Sequence, residues 1–128
     1  MSYLSTERAL QQMVGSIFPI VEVTDSTLTF ENSTERYVFS HHQDCCESVY
    51  IESIVGDVQD LVNTPILIAE ESTGDTPADS DASPSESYTW TFYKFATFKG
   101  YVDIRWLGES NGYYSESVDV SYTLKESA

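Results

Sequence analysis

The segment Ser40–Glu52, SHHQDCCESVYIE, follows one strand-like run, ERYVF (35–39), and contains a second, VYI (49–51). Read as one continuous strand, alternation sets His41, Cys45 and Glu47 on the side of Tyr37, Phe39, Val49 and Ile51, the apolar side. An unpaired glutamate buried there costs several kcal/mol. Either the strand breaks or bulges over Gln43–Cys46, or Glu47 has a strong partner. The segment decides whether the sheet runs on or is interrupted.

The same residues carry the vocabulary of site chemistry. His41, His42, Asp44, Cys45, Cys46 and Glu47 fall within seven positions. Histidine nitrogen, thiolate and carboxylate all suit zinc. The spacing argues against it: adjacent cysteines rarely reach one ion together, and no second Cys or His cluster closes a tetrahedron. No metal is favoured, with His41, Asp44 and Cys45 the weak candidates, and no cofactor is expected. A cysteine nucleophile beside a histidine base is chemically available. The plainer reading is a hydrogen-bonded corner, its cysteines packed inside and His41 bonded to a carboxylate.

Working outward, residues 6–14 read as a short helix capped by Ser5, with Leu10, Met13 and Val14 on one face and Gly15 as its stop. IFPIVEV (17–23) and TLTFE (27–31) read as strands about an Asp25-Ser26 turn, and Pro19 marks the first as an edge strand or one broken near its start. Ile54, Val58, Leu61 and Val62 recur at helical spacing, which predicts one or two turns of helix ending before Pro65. PILIAEE (65–71) reads as a well-buried strand. Residues 71–87, ESTGDTPADSDASPSES, read as a mobile acidic loop inside one domain spanning 1–128, because strand signals resume at once. SYTWTFYKFATF and YVDIRWL form a hairpin about Lys99-Gly100, with Val102, Ile104 and Trp106 on one face and Tyr101, Asp103 and Arg105 on the other. SVDVSYTL (117–124) ends the chain as a half-buried strand. The expected fold is α+β, a mainly antiparallel sheet with two short helices.

Twenty-one acidic residues against six basic ones give a formal charge of −15 in 128 residues. Such a field repels nucleic acid and anionic membranes and attracts basic proteins, so direct nucleic-acid binding is not expected. Solubility is the plainer use of the same charge. No apolar run nears the ~18 residues that span a bilayer, so no membrane partner is expected. MSYLSTERALQQMV (1–14) lacks the apolar core of a signal peptide. The only cysteines, Cys45 and Cys46, close nothing but a strained ring as a disulfide. These features fit a reducing cytosol.

Two further groups stand out. In DIRWLGESNGYYSES (103–117), Arg105, Glu109, Asn111, Tyr113 and Tyr114 lie on strands joined by the Asn111-Gly112 turn, and could hold a planar or glycosyl ligand. An ordinary hairpin with cross-strand tyrosine contacts is the plainer reading. Glu70, Glu71, Asp75, Asp79, Asp81 and Glu86 form the second group, an acidic surface for a partner or simply a solvated loop.

The blocks H-x-Q-D-C-C-E-S-V, G-D-x-x-D-L, A-E-E, W-T-F-Y, K-G-Y-V-x-I-R-W and G-E-S-N-G-Y-Y-S-E resemble a family of small phage and prophage proteins known as a domain of unknown function. They cover about half the chain. The chain departs from the family pattern at Asn63-Thr64, where a glycine tends to precede the proline. His41, not His42, matches the family's histidine. The resemblance implies a viral accessory setting, in which a small acidic protein binds and inhibits a host machine. It also suggests that Gln43, Asp44, Glu47, Arg105, Glu109 and Asn111 converge on one pocket.

Two functions follow as expectations. The first is a non-enzymatic phage protein that binds a host defence or nucleic-acid-processing protein through its acidic surface in the host cytosol. The second is a small-molecule or metal pocket protein, catalytic or not, that joins His41, Gln43, Asp44, Cys45 and Glu47 to Arg105, Glu109, Asn111, Tyr113 and Tyr114.

Overall fold

In the computed structural model the strands divide between two antiparallel sheets that share one core. The structure describes residues 2–41, 47–75, 87–110 and 118–124. In chain order the elements are β1 (Ser2–Leu4), α1 (Thr6–Met13), β2 (Ile20–Val23), β3 (Leu28–Glu31), β4 (Glu35–Ser40) and β5 (Ser48–Val55). A single 3-10 turn follows (Val58–Leu61), then β6 (Ile68–Asp75), β7 (Ser87–Thr97), β8 (Gly100–Ser110) and β9 (Asp119–Leu124). One sheet has the order β1-β9-β4-β3-β2 and the other β5-β8-β7-β6.

Aromatic side chains join the sheets. Phe30 and Phe39 of the first meet Phe95 and Tyr93 of the second, with ring centroids 4.9 Å apart for Phe30–Phe95 and 5.1 Å for Phe39–Tyr93. Each ring, buried fully, contributes roughly 2–3 kcal/mol through the water it sheds. Val102, Ile104 and Trp106 of β8 project into the same core, as their alternation predicts.

β4 ends at Ser40 and pairs in the first sheet, and β5 begins at Ser48 and pairs in the second, so the chain changes sheets between them. Pro19 precedes β2, which is an outer strand of its sheet as expected. Ser5 caps α1 by accepting a hydrogen bond from the Arg8 amide at 3.3 Å, and Leu10 and Met13 are buried.

Several expectations are corrected. Val14 does not share the buried face of α1; it is 48% exposed and bridges Ile66 in parallel. The second helix shrinks to the 3-10 turn, because Ser53–Val55 extend β5 and Gly56 (φ 105) breaks the chain before Asp57 caps the turn. At that φ an L side chain is strained, and a Cβ would lie 2.3 Å from the Tyr101 carbonyl oxygen. The strand in PILIAEE buries Ile66 but leads into β6, an outer strand. β6 continues through Asp75 in register with β7, so residues 71–75 are paired strand rather than loop. Residues 76–86 lie outside the described residues. Thr97 pairs with Gly100, which centres the β7–β8 turn on Phe98-Lys99.

Candidate functional site

The passage between sheets carries a sealed polar pair. His41 Nε2 lies 3.2 Å from Glu47 Oε2, with side-chain exposures of 4% and 0%. The contact has ion-pair distance without hydrogen-bond alignment. Glu47 continues the inward parity of Val49 and Ile51, and the buried glutamate has a partner; the expected break or bulge over Gln43–Cys46 falls outside the described residues. Gln43, Asp44 and Cys45 lie outside the described residues.

Arg105 faces the other way. On β8 it alternates with the inward Ile104 and Trp106, so it stands on the outer face of the four-stranded sheet. The pairing of β5 with β8 shifts between Ile51 and Ser53, and the extra residue is Glu52. This bulge brings the Glu52 carboxylate to Arg105, whose Nε and Nη2 donate to Oε2 at 2.6 and 2.5 Å. The guanidinium also covers the Trp90 ring, 4.9 Å from its centroid. Glu109 shares the outer parity of Arg105, opposite Ser48. Burial first, then the Glu109 and Glu52 carboxylates, raises the Tyr50 phenol above its ordinary pKa.

The structure therefore brings His41 to Glu47 and Arg105 to Glu52, and sets the two pairs on opposite faces of the four-stranded sheet. The described members of the two segments do not meet in one pocket. Asn111, Tyr113 and Tyr114 lie outside the described residues.

A concavity of about 420 Å³ opens on the outer face, within the range of small-molecule sites. Cross-strand register explains its floor. One row runs Val55, Asp103, Lys94, Glu70 and the next runs Ser53, Arg105, Phe92, Ser72. Phe92 is 39% exposed and Val55 65%. Lys94 Nζ rests 4.8 Å from the centroid of Tyr101, itself 60% exposed. Two of the six basic residues of a strongly acidic chain, Lys94 and Arg105, thus stand in adjacent rows of this face. Among the described residues, Glu70, Asp103 and Lys94 have no hydrogen-bond or ion-pair partner, and neither do the Ser53 and Ser72 hydroxyls.

The acidic group named from sequence divides. Glu70 and Glu71 both line the concavity, Glu70 without a partner among the described residues. Glu71 is tied down, its Oε2 accepting a hydrogen bond from the buried Tyr93 hydroxyl at 2.7 Å. The side chains of Asp75, Asp79, Asp81 and Glu86 lie outside the described residues. Sequence reasoning missed Glu52, Ser53, Ser72, Phe92 and Lys94 as site residues. The available signal was SYTWTFYKFATF, where Trp90, Phe92 and Lys94 alternate with the core residues Thr91, Tyr93 and Phe95; a strand apolar on both sides has a second use for its outer face.

Among the described residues, no helix is long and apolar enough to cross a membrane. Comparison with protein families gives one described as Domain of unknown function (DUF7448), matching residues 7–120. Neither the curated proteins nor the solved structures give a match.

Proposed function

The chain belongs to that family, whose description names no activity, and from its geometry we propose a binding protein whose ligand sits on the outer face of the four-stranded sheet. The observation that carries this reading is the two-row concavity, where unfilled donors and acceptors surround the exposed Phe92 ring. Pockets of this kind combine an apolar contact with a few polar groups that fix orientation. Arg105 enters pre-ordered by Glu52 and Trp90, which lowers the entropy lost when a ligand binds. The test is a fragment screen read by amide chemical shifts on isotope-labelled protein. Binders should shift residues 53–55, 70–72, 92–94 and 103–105, and Phe92→Ala should weaken them about tenfold. Binders that shift only other surfaces would count against the proposal.

A second reading is supported by charge. With Arg36 paired to Glu31 and Arg105 to Glu52, the net charge of −15 is left to attract a basic partner. In the phage accessory setting implied by the sequence resemblance, that partner is a host protein in the cytosol, held without catalysis. Capture from host lysate should weaken as salt rises. No stoichiometric partner at low or physiological salt would exclude this reading.

A further inference from the structure

We infer that the ligand of the outer-face concavity is a neutral polyhydroxylated ring, a sugar or the end of a glycan, stacked on Phe92; this rests on the proposal that the concavity is the ligand site.

Charge selects the class. Phe92 lies directly opposite Arg105 and two residues from Lys94 on the same face, so a cation drawn by the nearby carboxylates still meets two positive neighbours over the ring. Glu70, Glu71 and Asp103 line the same concavity and Glu52 adjoins it, so an anion meets four carboxylates. A wholly apolar ligand would cover those charged groups without giving them partners, at a cost in desolvation. A neutral ring bearing several hydroxyls avoids each penalty, because every hydroxyl both donates and accepts.

The geometry fits the same class. Carboxylates at Glu70 and Asp103 accept from hydroxyls, while Lys94 and the remaining N–H groups of Arg105 donate to them, and Ser53 and Ser72 do either. Bonds to charged partners are stronger than neutral ones, which offsets the strong hydration of a sugar. Trp90 is partly covered by Arg105, and Tyr101, though 60% exposed, already has the Lys94 ammonium over its ring. Phe92 stands between them with its ring open to solvent, and its electron-rich face suits the C–H face of a pyranose.

The experiment titrates the folded, isotope-labelled chain with neutral sugars (glucose, galactose, N-acetylglucosamine, maltose, cellobiose) and with charged analogues (glucuronate, glucose 6-phosphate, glucosamine). At least one neutral sugar should give saturable shifts at 92–94 and 103–105, with a dissociation constant on the order of 1 mM and at least fivefold tighter than its charged analogues. Phe92→Ala should weaken it about tenfold. Asp103→Asn, which keeps the side-chain shape, should weaken it several-fold with an otherwise unchanged spectrum. If fragments or charged analogues bind this face and no neutral sugar does, the inference is overturned while the binding site stands. If neither fragments nor sugars shift this face, both fail.

Discussion

His41 Nε2 stands 3.2 Å from Glu47 Oε2 at the place where the chain leaves one sheet for the other, and both side chains are closed to solvent. Removing one member takes a polar neighbour from the other in the interior. Glu47→Leu should therefore destabilise the fold by about 3–5 kcal/mol, and the paired His41→Leu/Glu47→Leu replacement by much less than the sum of its single changes. Urea denaturation of the four proteins measures this. Strict additivity would show that the two side chains do not act as a pair.

Glycine positions give a sharp contrast. Gly56 (φ 105) has no room for a Cβ beside the Tyr101 carbonyl, whereas Gly15 (φ 88) has nothing within 4 Å of where one would go. Gly15→Ala should cost about 1 kcal/mol, the penalty for left-handed backbone. Gly56→Ala adds a steric clash and should cost clearly more, about 2–4 kcal/mol. Equal losses in denaturation midpoint would contradict the close approach of Gly56 to β8.

Alkaline titration tests the buried phenols. Burial first, then the Glu71 carboxylate, pushes Tyr93 far above the ordinary value of 10.0, with Asp119 adding to the rise and a hydrogen bond to Thr6 opposing it. Burial and Glu35 do the same to Tyr37. Both folded-state values are raised, so above about pH 10 the unfolded chain releases protons that the folded chain retains. Stability from these groups is complete below that pH and is lost as pH rises beyond it. Phenolate absorbance at 295 nm should show a group of tyrosines that ionise only on unfolding. Complete ionisation of all nine before the loss of tertiary signal would contradict their burial.

Much of this fold is written in local periodicity. Val102, Ile104 and Trp106 alternate because one side of β8 meets a core, and that pattern needs no knowledge of the partner sheet. Pro19 likewise announces an outer strand through its missing amide hydrogen. Ile54, Val58, Leu61 and Val62 misled because helical spacing arises by accident when a strand end, a left-handed glycine and a 3-10 turn follow one another. Nor is the division into two sheets local. It depends on whether β5 pairs with β4 or with β8, whose paired residues lie 48 to 61 positions apart, although Glu47 pointed to a change there. The site was legible in part. Arg105, Glu109 and Glu70 carry obvious chemistry, but Glu52 reaches Arg105 only through a bulge, and Phe92 and Lys94 become neighbours of Asp103 and Arg105 only through hairpin register.

Arg105 and Trp90 offer an optical check. Trp106 is fully buried, whereas Trp90 is covered in part by the Arg105 guanidinium at 4.9 Å. Arg105→Ala should make about half the tryptophan emission more accessible to acrylamide and cost about 0.5–1 kcal/mol, a small value because the pair is partly exposed. Arg105→Lys should recover only part of the protection, since an ammonium lacks the planar face that stacks on indole. Unchanged quenching in both variants would contradict the stacked arrangement.

The most direct test of the central claim is amide shift mapping of the folded protein against small ligands. The account predicts saturable changes confined to the two adjacent rows, Val55, Asp103, Lys94 and Glu70 with Ser53, Arg105, Phe92 and Ser72, and their loss in Phe92→Ala. Saturable changes centred on the five-stranded sheet, with these eight residues silent, would contradict it.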